Sequence, residues 1–161
     1  MAINKEKKKK IVSDVSKIVK DAESVVFVNF HGLPVANTTI LRKTLKEQNI
    51  GYLVSKKTLA KRALDEAKIT GTLPVMEGEL ALAYGKDLIA PAREVYAFQK
   101  KYPNLIQIIG GVFERRYMNK EEMTDIATIP PLQVLYGQVV NLINSPIQQL
   151  VMALGQIAKT K

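Results

Sequence analysis

From Pro130 to Ala158 this chain runs for 29 residues without a charged side chain. No other feature limits its folding more. A stretch of that kind has to be covered by its own domain, by a partner or by a bilayer. Spanning a bilayer takes about 20 predominantly apolar residues in succession. Here Gln133, Gln138, Asn141, Asn144, Gln148, Gln149 and Gln156 break the run, so no membrane span is expected.

The apolar residues recur at helical spacing, and the segment repeats itself every eleven positions. Val139 corresponds to Leu150, Val140 to Val151, Leu142 to Ala153 and Ile143 to Leu154, while Pro146 falls opposite Ile157. Two copies are too few for a solenoid. They read as two equivalent docking segments on one long C-terminal helix, kinked at Pro146, which acts as a hinge. Val139, Val140, Leu142, Ile143, Leu150, Val151, Leu154 and Ile157 carry the apolar face. Together they would gain on the order of 12–24 kcal/mol gross on full burial, at about 1.5–3 kcal/mol each. That surface can fold back onto its own domain or lie in the groove of a partner. Its width and length favour the partner, with the helix extending from the domain.

Upstream, a chain of 161 residues leaves room for one domain before the helix. Pro130 and Pro131 end it, so residues 1–129 form the domain and 130–161 the helical segment. A helix is predicted from Asn4 to Lys20, where Ile11, Val15, Ile18 and Val19 form an apolar stripe. "SVVFVNF" (24–30) reads as a buried strand. Then come a helix over Thr38–Gln48, a strand over Gly51–Ser55 and a helix over Lys56–Ala67. A strand over Glu79–Tyr84, a helix over Ala90–Lys101 and a strand over Asn104–Ile109 follow. "GGVFERRYM" reads as a small hairpin after the last strand. Asn119 with Glu122 forms a capping box opening a short helix toward Ile126. The alternation implies an α/β (α+β) fold, a two-layer sandwich whose mixed sheet of about four strands is packed by helices.

Charge is concentrated at one end. The first 62 residues carry 14 Lys/Arg against 5 Asp/Glu, whereas residues 63–129 carry 8 against 10. A localised basic region points to a polyanion, most often nucleic acid. Lys56, Lys57, Lys61 and Arg62 crowd the start of one predicted helix, with the Thr58 hydroxyl beside them. A cationic fork at a helix N-terminus suits phosphate oxygens. Lys7, Lys8, Lys9 and Lys10 form a second cluster, and Arg42 with Lys43 a third. Aromatic residues do not interleave with these lysines, so recognition of folded RNA by shape and backbone fits better than base stacking.

Catalysis has little support. The chain has one histidine, His31, and no cysteine, which removes disulfides and thiolate metal sites and fits a reducing, cytoplasmic setting. There is no signal-peptide pattern. "GKDLIAP" is not a phosphate loop, and "IIGGVFE" lacks the dinucleotide-binding glycine spacing. The acid pairs Glu77/Glu79 and Glu121/Glu122 read as solvent-facing. The expectation is a non-enzyme with no cofactor and no metal.

In their order, "SVVFVNFHGLPVANTTILRKTLKEQ", "YLVSKKTLAKRAL", "IIGGVFE", "IATIPP" and "LINSPIQQLVMAL" resemble the bacterial large-subunit ribosomal proteins that form the base of the lateral stalk (large-subunit protein ten). The resemblance runs over essentially the whole chain. It implies an N-terminal domain that binds large-subunit rRNA beside a neighbouring ribosomal protein. It also implies a C-terminal helix that holds dimers of the small acidic stalk protein, which recruit translation GTPases. Repression of the protein's own messenger is a further implication. The family's basic helix-start motif falls on Lys56, Lys57, Thr58 and Leu59, with Lys57 where asparagine is common. Its dimer-binding segments fall on the two eleven-residue copies, so two dimers, four copies in all, are expected. Two other readings compete: a free-standing RNA-binding regulator with a self-associating tail, and a globular protein with a docked terminal helix.

Overall fold

Strand β1 (Ser24–Phe30) is buried along most of its length, and its two faces meet different partners. The structure is a computed structural model that describes residues 5–67, 69–76, 78–103 and 105–160. The expected starts at Asn4 and Asn104 lie outside those residues. The chain divides into two compact units, Met1–Ile129 and Pro130–Lys161.

In chain order the first unit contains α1 (Lys5–Asp21), β1, α2 (Val35–Glu47), β2 (Gly51–Val54), α3 (Lys57–Glu66) and β3 (Leu80–Gly85). It continues with α4 (Ala90–Lys101), β4 (Ile106–Phe113), β5 (Arg116–Asn119) and α5 (Lys120–Thr128). The strands form one sheet in the order β2-β3-β1-β4-β5. Every neighbouring pair is antiparallel, where a mixed sheet of about four strands was expected. The reason is topological. The helical connection from β1 to β2 skips a place that β3 fills running the other way, and the connection from β3 to β4 skips β1. This is a split arrangement of strand–helix–strand units. Among the described residues the one isolated parallel bridge joins Thr70 to Arg116.

The sheet is covered on both sides, so the unit has three layers rather than the two expected. Val25 and Phe27 of β1 pack with Val15 and Val19 of α1 and with Ala60, Ala63 and Leu64 of α3. Val26 and Val28 face the other way, toward Leu41 and Leu45 of α2, Val95 and Phe98 of α4, and Met123 of α5. The period-two alternation of side chains thus serves two cores at once.

The diglycine of "IIGGVFE" does not interrupt β4. A Cβ at Gly111 would run into the Met123 side chain and the Val25 carbonyl, so glycine lets α5 lie close against the strand. The hairpin turn comes later, at Glu114 and Arg115, both with positive φ (48° and 62°), as a two-residue turn between antiparallel strands requires. The expected hairpin is therefore real, but its first arm is the end of the fourth strand and its second arm is a fifth. Asn119 and Glu122 close the capping box of α5, the Glu122 carboxylate accepting the Asn119 N–H at 3.0 Å. On the far edge of β5, Thr70 accepts the Tyr117 N–H at 2.9 Å and donates its own N–H to the Arg115 carbonyl at 3.2 Å.

The second unit is the helix α6 (Leu132–Thr160), 29 residues long. The helix continues through Pro146 without a break. No single described helix is long and apolar enough to cross a membrane.

Candidate nucleic-acid and partner interfaces

Helices α1 and α3 share one side of the sheet, with small and β-branched side chains between them. That packing joins two charge clusters that are remote in sequence. Lys8, Lys9 and Ser13 of α1 line the same open groove as Arg62 and Glu66 of α3. Lys10, Lys56, Lys57, Thr58 and Lys61 are exposed as well. Lys7 belongs to α1, but its side chain lies outside the described residues. Among the described residues the ion pairs are Arg93–Glu94 and Arg116–Glu122, both at 3.6 Å. The cations of α1 and α3 therefore have no carboxylate partner among them. Exposed cations gathered on one face, in excess over the carboxylate of Glu66 beside them, are the electrostatic arrangement that draws a polyanion.

The third cluster is elsewhere. Arg42 and Lys43 sit on α2, whose inward residues Leu41 and Leu45 pack on the opposite side of the sheet. The Arg42 guanidinium lies 5.7 Å from the Tyr52 ring centre, a cation–π contact. Burial pushes the Tyr52 phenol up from its ordinary value, an effect that Arg42 partly offsets. Burial also raises Tyr117, with the Asp65 carboxylate adding to it.

One residue of this region escaped sequence reasoning. Ser55, between β2 and α3, is buried, and its Oγ has no hydrogen-bond partner among the described residues. It lines a cavity together with Lys56 and Lys57. A serine before a helix is too common to have signalled this.

His31 is exposed on the turn after β1, and its backbone N–H donates to the Leu105 carbonyl at 3.1 Å. Glu79 and Glu121 are exposed, Glu77 lies outside the described residues, and Glu122 is exposed while serving the α5 cap. Among the described residues no three His, Asp or Glu side chains gather into a metal-holding cluster.

On α6 the eight residues of the two repeats, Val139, Val140, Leu142, Ile143, Leu150, Val151, Leu154 and Ile157, are 55–73% exposed. Tyr136, Ile147 and Met152 are exposed too. Ile147 extends the face: Tyr136, Val140, Ile143, Ile147, Leu150, Leu154 and Ile157 follow one another in steps of four and three. That spacing puts them on one side of a helix. Reading in elevens concealed it, because Ile147 stands opposite Tyr136 and Ala158. Pro146 lies beside this face and has no N–H to offer the Leu142 carbonyl.

A three-layer α+β unit with an exposed cationic face, followed by a helix exposing an apolar face, is the build of a structural binding protein. The profile of the family "Ribosomal protein L10" matches residues 3–100. The chain belongs to this family, whose members are structural rather than catalytic. It is 32% identical over 157 residues to the large ribosomal subunit protein uL10 of Bacillus licheniformis, covering 97% of this chain and 94% of that protein. It is 36% identical over 143 residues to that of Carboxydothermus hydrogenoformans, covering 88% and 81%. With that of Shouchella clausii it shares 35% over 157 residues, covering 97% and 94%.

Proposed function

We propose that this chain is a structural constituent of the large ribosomal subunit, ribosome-associated in the cytoplasm, that joins rRNA to the stalk. Residues 1–129 bind large-subunit rRNA at the stalk base, beside a neighbouring ribosomal protein. The contact surface is the face formed by α1 and α3, with Lys8, Lys9, Lys10, Lys56, Lys57, Thr58, Lys61 and Arg62 on the phosphates. Arg42 and Lys43, on the other side of the sheet, take no part in that same contact. The same RNA-binding face serves for repression of the protein's own messenger.

Residues 130–161 hold dimers of the acidic stalk protein, and through them translation GTPases are recruited. The observation that carries this reading is the exposed apolar face of α6, repeated at eleven residues and free of charge from Pro130 to Ala158. An apolar helical face of this size is covered by groove-type partners. Two repeats seat two dimers, with a bend at Pro146 setting the angle between them. Co-expression with the acidic stalk protein, followed by native mass measurement, is expected to give a pentamer. A heptamer would overturn the two-dimer stoichiometry.

The four–three spacing of the same face also supports a second reading, an RNA-binding regulator whose helix pairs with another copy of itself. Sedimentation in the presence of the stalk protein separates the two. A homodimer that persists and excludes the stalk protein would favour the second.

A further inference from the structure

Helix α6 carries two seams rather than one. Val134, Gln138, Asn141, Ser145, Gln148 and Met152 also follow one another in steps of four and three. At about 100° per residue, this second seam lies on the side opposite the apolar face. A side turned to water would be built as it is on the other helices of this protein. Lys17 and Lys20 of α1, Lys43 and Lys46 of α2, Lys61 and Asp65 of α3, Lys100 and Lys101 of α4, and Glu121 and Asp125 of α5 are all exposed charges. The second seam of α6 has none. It holds amides and a hydroxyl, and Val134 and Met152 at its two ends are apolar yet 47% and 62% exposed.

That composition suits an interface rather than a surface. Charged residues are depleted where a contact is fully buried, because an unpaired charge there is costly, whereas an amide needs only a hydrogen-bond partner. Asn and Ser are also poor choices for an exposed helix side, where Lys and Glu propagate the helix better. Gly137 and Gly155 border the same seam. A Cβ at either would meet nothing within 4 Å among the described residues, so the free chain offers no steric reason for residues that weaken a helix.

We infer that α6 is enclosed in its assembly: the acidic stalk dimers cover the amide seam as well as the apolar face, and the amides bond to polar groups of the partner. This rests on the docking reading above. Enclosure also selects the occupant. A second copy of α6, paired as a two-stranded coiled coil, covers one seam and leaves the opposite side in water. A partner that comes as dimers can present helices to both sides. Residues 130–161 contain no Asp or Glu, so neither side repels an acidic partner. The two seams then divide the work: the apolar face supplies the burial, and the amides fix the axial position of each dimer, as isolated polar residues do in coiled coils.

The chain has no cysteine, so single introduced thiols report coverage directly. Full-length Asn141→Cys and Met152→Cys probe the amide seam at corresponding positions of the two repeats. Ile143→Cys probes the apolar face, and Asp125→Cys on α5 is the control. Each is alkylated alone and with excess acidic stalk protein, and the rate is read from the mass of this chain. All four should react in the free chain. With stalk protein, Asp125→Cys should keep its rate and the other three should be protected. In parallel, Gln148→Glu and Gln148→Lys should each weaken stalk binding about a hundredfold, because either sign of charge is stranded in the contact. Circular dichroism of the free chains should be unchanged.

Protection of Ile143→Cys alone would overturn the enclosure while the docking reading stands. Wild-type affinity in both Gln148 variants would do the same. Protection that appears without stalk protein as the chain is concentrated would give α6 to further copies of itself and overturn the occupant. A wild type that does not bind stalk protein would sink the docking reading and the enclosure with it.

Discussion

Two sets of large apolar side chains in this protein have opposite fates. Phe27, Leu82 and Ile108 of the sheet are at most 1% exposed, whereas Leu150, Leu154 and Ile157 of α6 are each about 60% exposed. Residue type does not separate them. What differs is their cover: the sheet strands have helices on both faces, while the α6 face meets solvent. A hydrophobic side chain becomes core only where the topology supplies a second surface. An apolar face without one implies that another chain supplies it.

The strongest test of that contrast is removal of residues 132–161. The truncated chain should lose binding to the acidic stalk protein entirely and melt within a few degrees of the full chain. Failure of the truncated chain to fold would show that α6 belongs to the core. Next in size, Phe27→Ala should cost about 3–5 kcal/mol in chemical denaturation. Leu150→Ala should stay within about 0.5 kcal/mol in the same assay, the range of ordinary surface changes. Equal effects would abolish the distinction between the two sets.

A smaller effect concerns the first unit's own surface. Changing Lys56, Lys57, Lys61 and Arg62 to alanine should flatten the dependence of log affinity on log salt, by up to about 0.7–0.9 for each phosphate left unneutralised. Stalk-protein binding should be untouched. An unchanged slope would remove this face from the RNA interface.

The smallest expected change is in pH dependence. Burial raises the phenols of Tyr52 and Tyr117 in the folded state. Above the ordinary tyrosine value the unfolded chain loses these protons first, so the folded state holds more of them and stability falls as pH rises. The window opens above about pH 10. Tyr52→Phe should flatten part of that fall, and the truncated chain should show the same fall as the full one.

Much of the fold is legible in the sequence, for reasons particular to each element. β1 and α4 begin and end where expected, because one is a continuous β-branched and aromatic run and the other opens on Pro91 and closes on lysines. The third layer is legible only in hindsight: five successive buried residues in β1 call for cover on both faces. Strand direction is not legible, since it depends on which strand fills the gap that each helical connection leaves. The hairpin turn is obscured because Glu114 and Arg115 lack the usual asparagine–glycine signature. Of the basic clusters, the meeting of Lys8 and Lys9 with Arg62 is a product of helix packing over a separation that no local pattern reports. Ser55 is invisible for the same reason, as its burial depends on neighbours distant in the chain.

The Thr70 bridge along β5 bears on how the free protein behaves at high concentration. By meeting the Tyr117 N–H and the Arg115 carbonyl, it occupies backbone groups that would otherwise template an incoming strand. At the other margin β2 offers only four residues, a short platform for such growth. Fibril-like extension of the sheet is therefore discouraged at both ends. Clumping of the unpartnered chain should run through side chains of α6 and dissolve when stalk protein is added, leaving no cross-β signature in fibre diffraction.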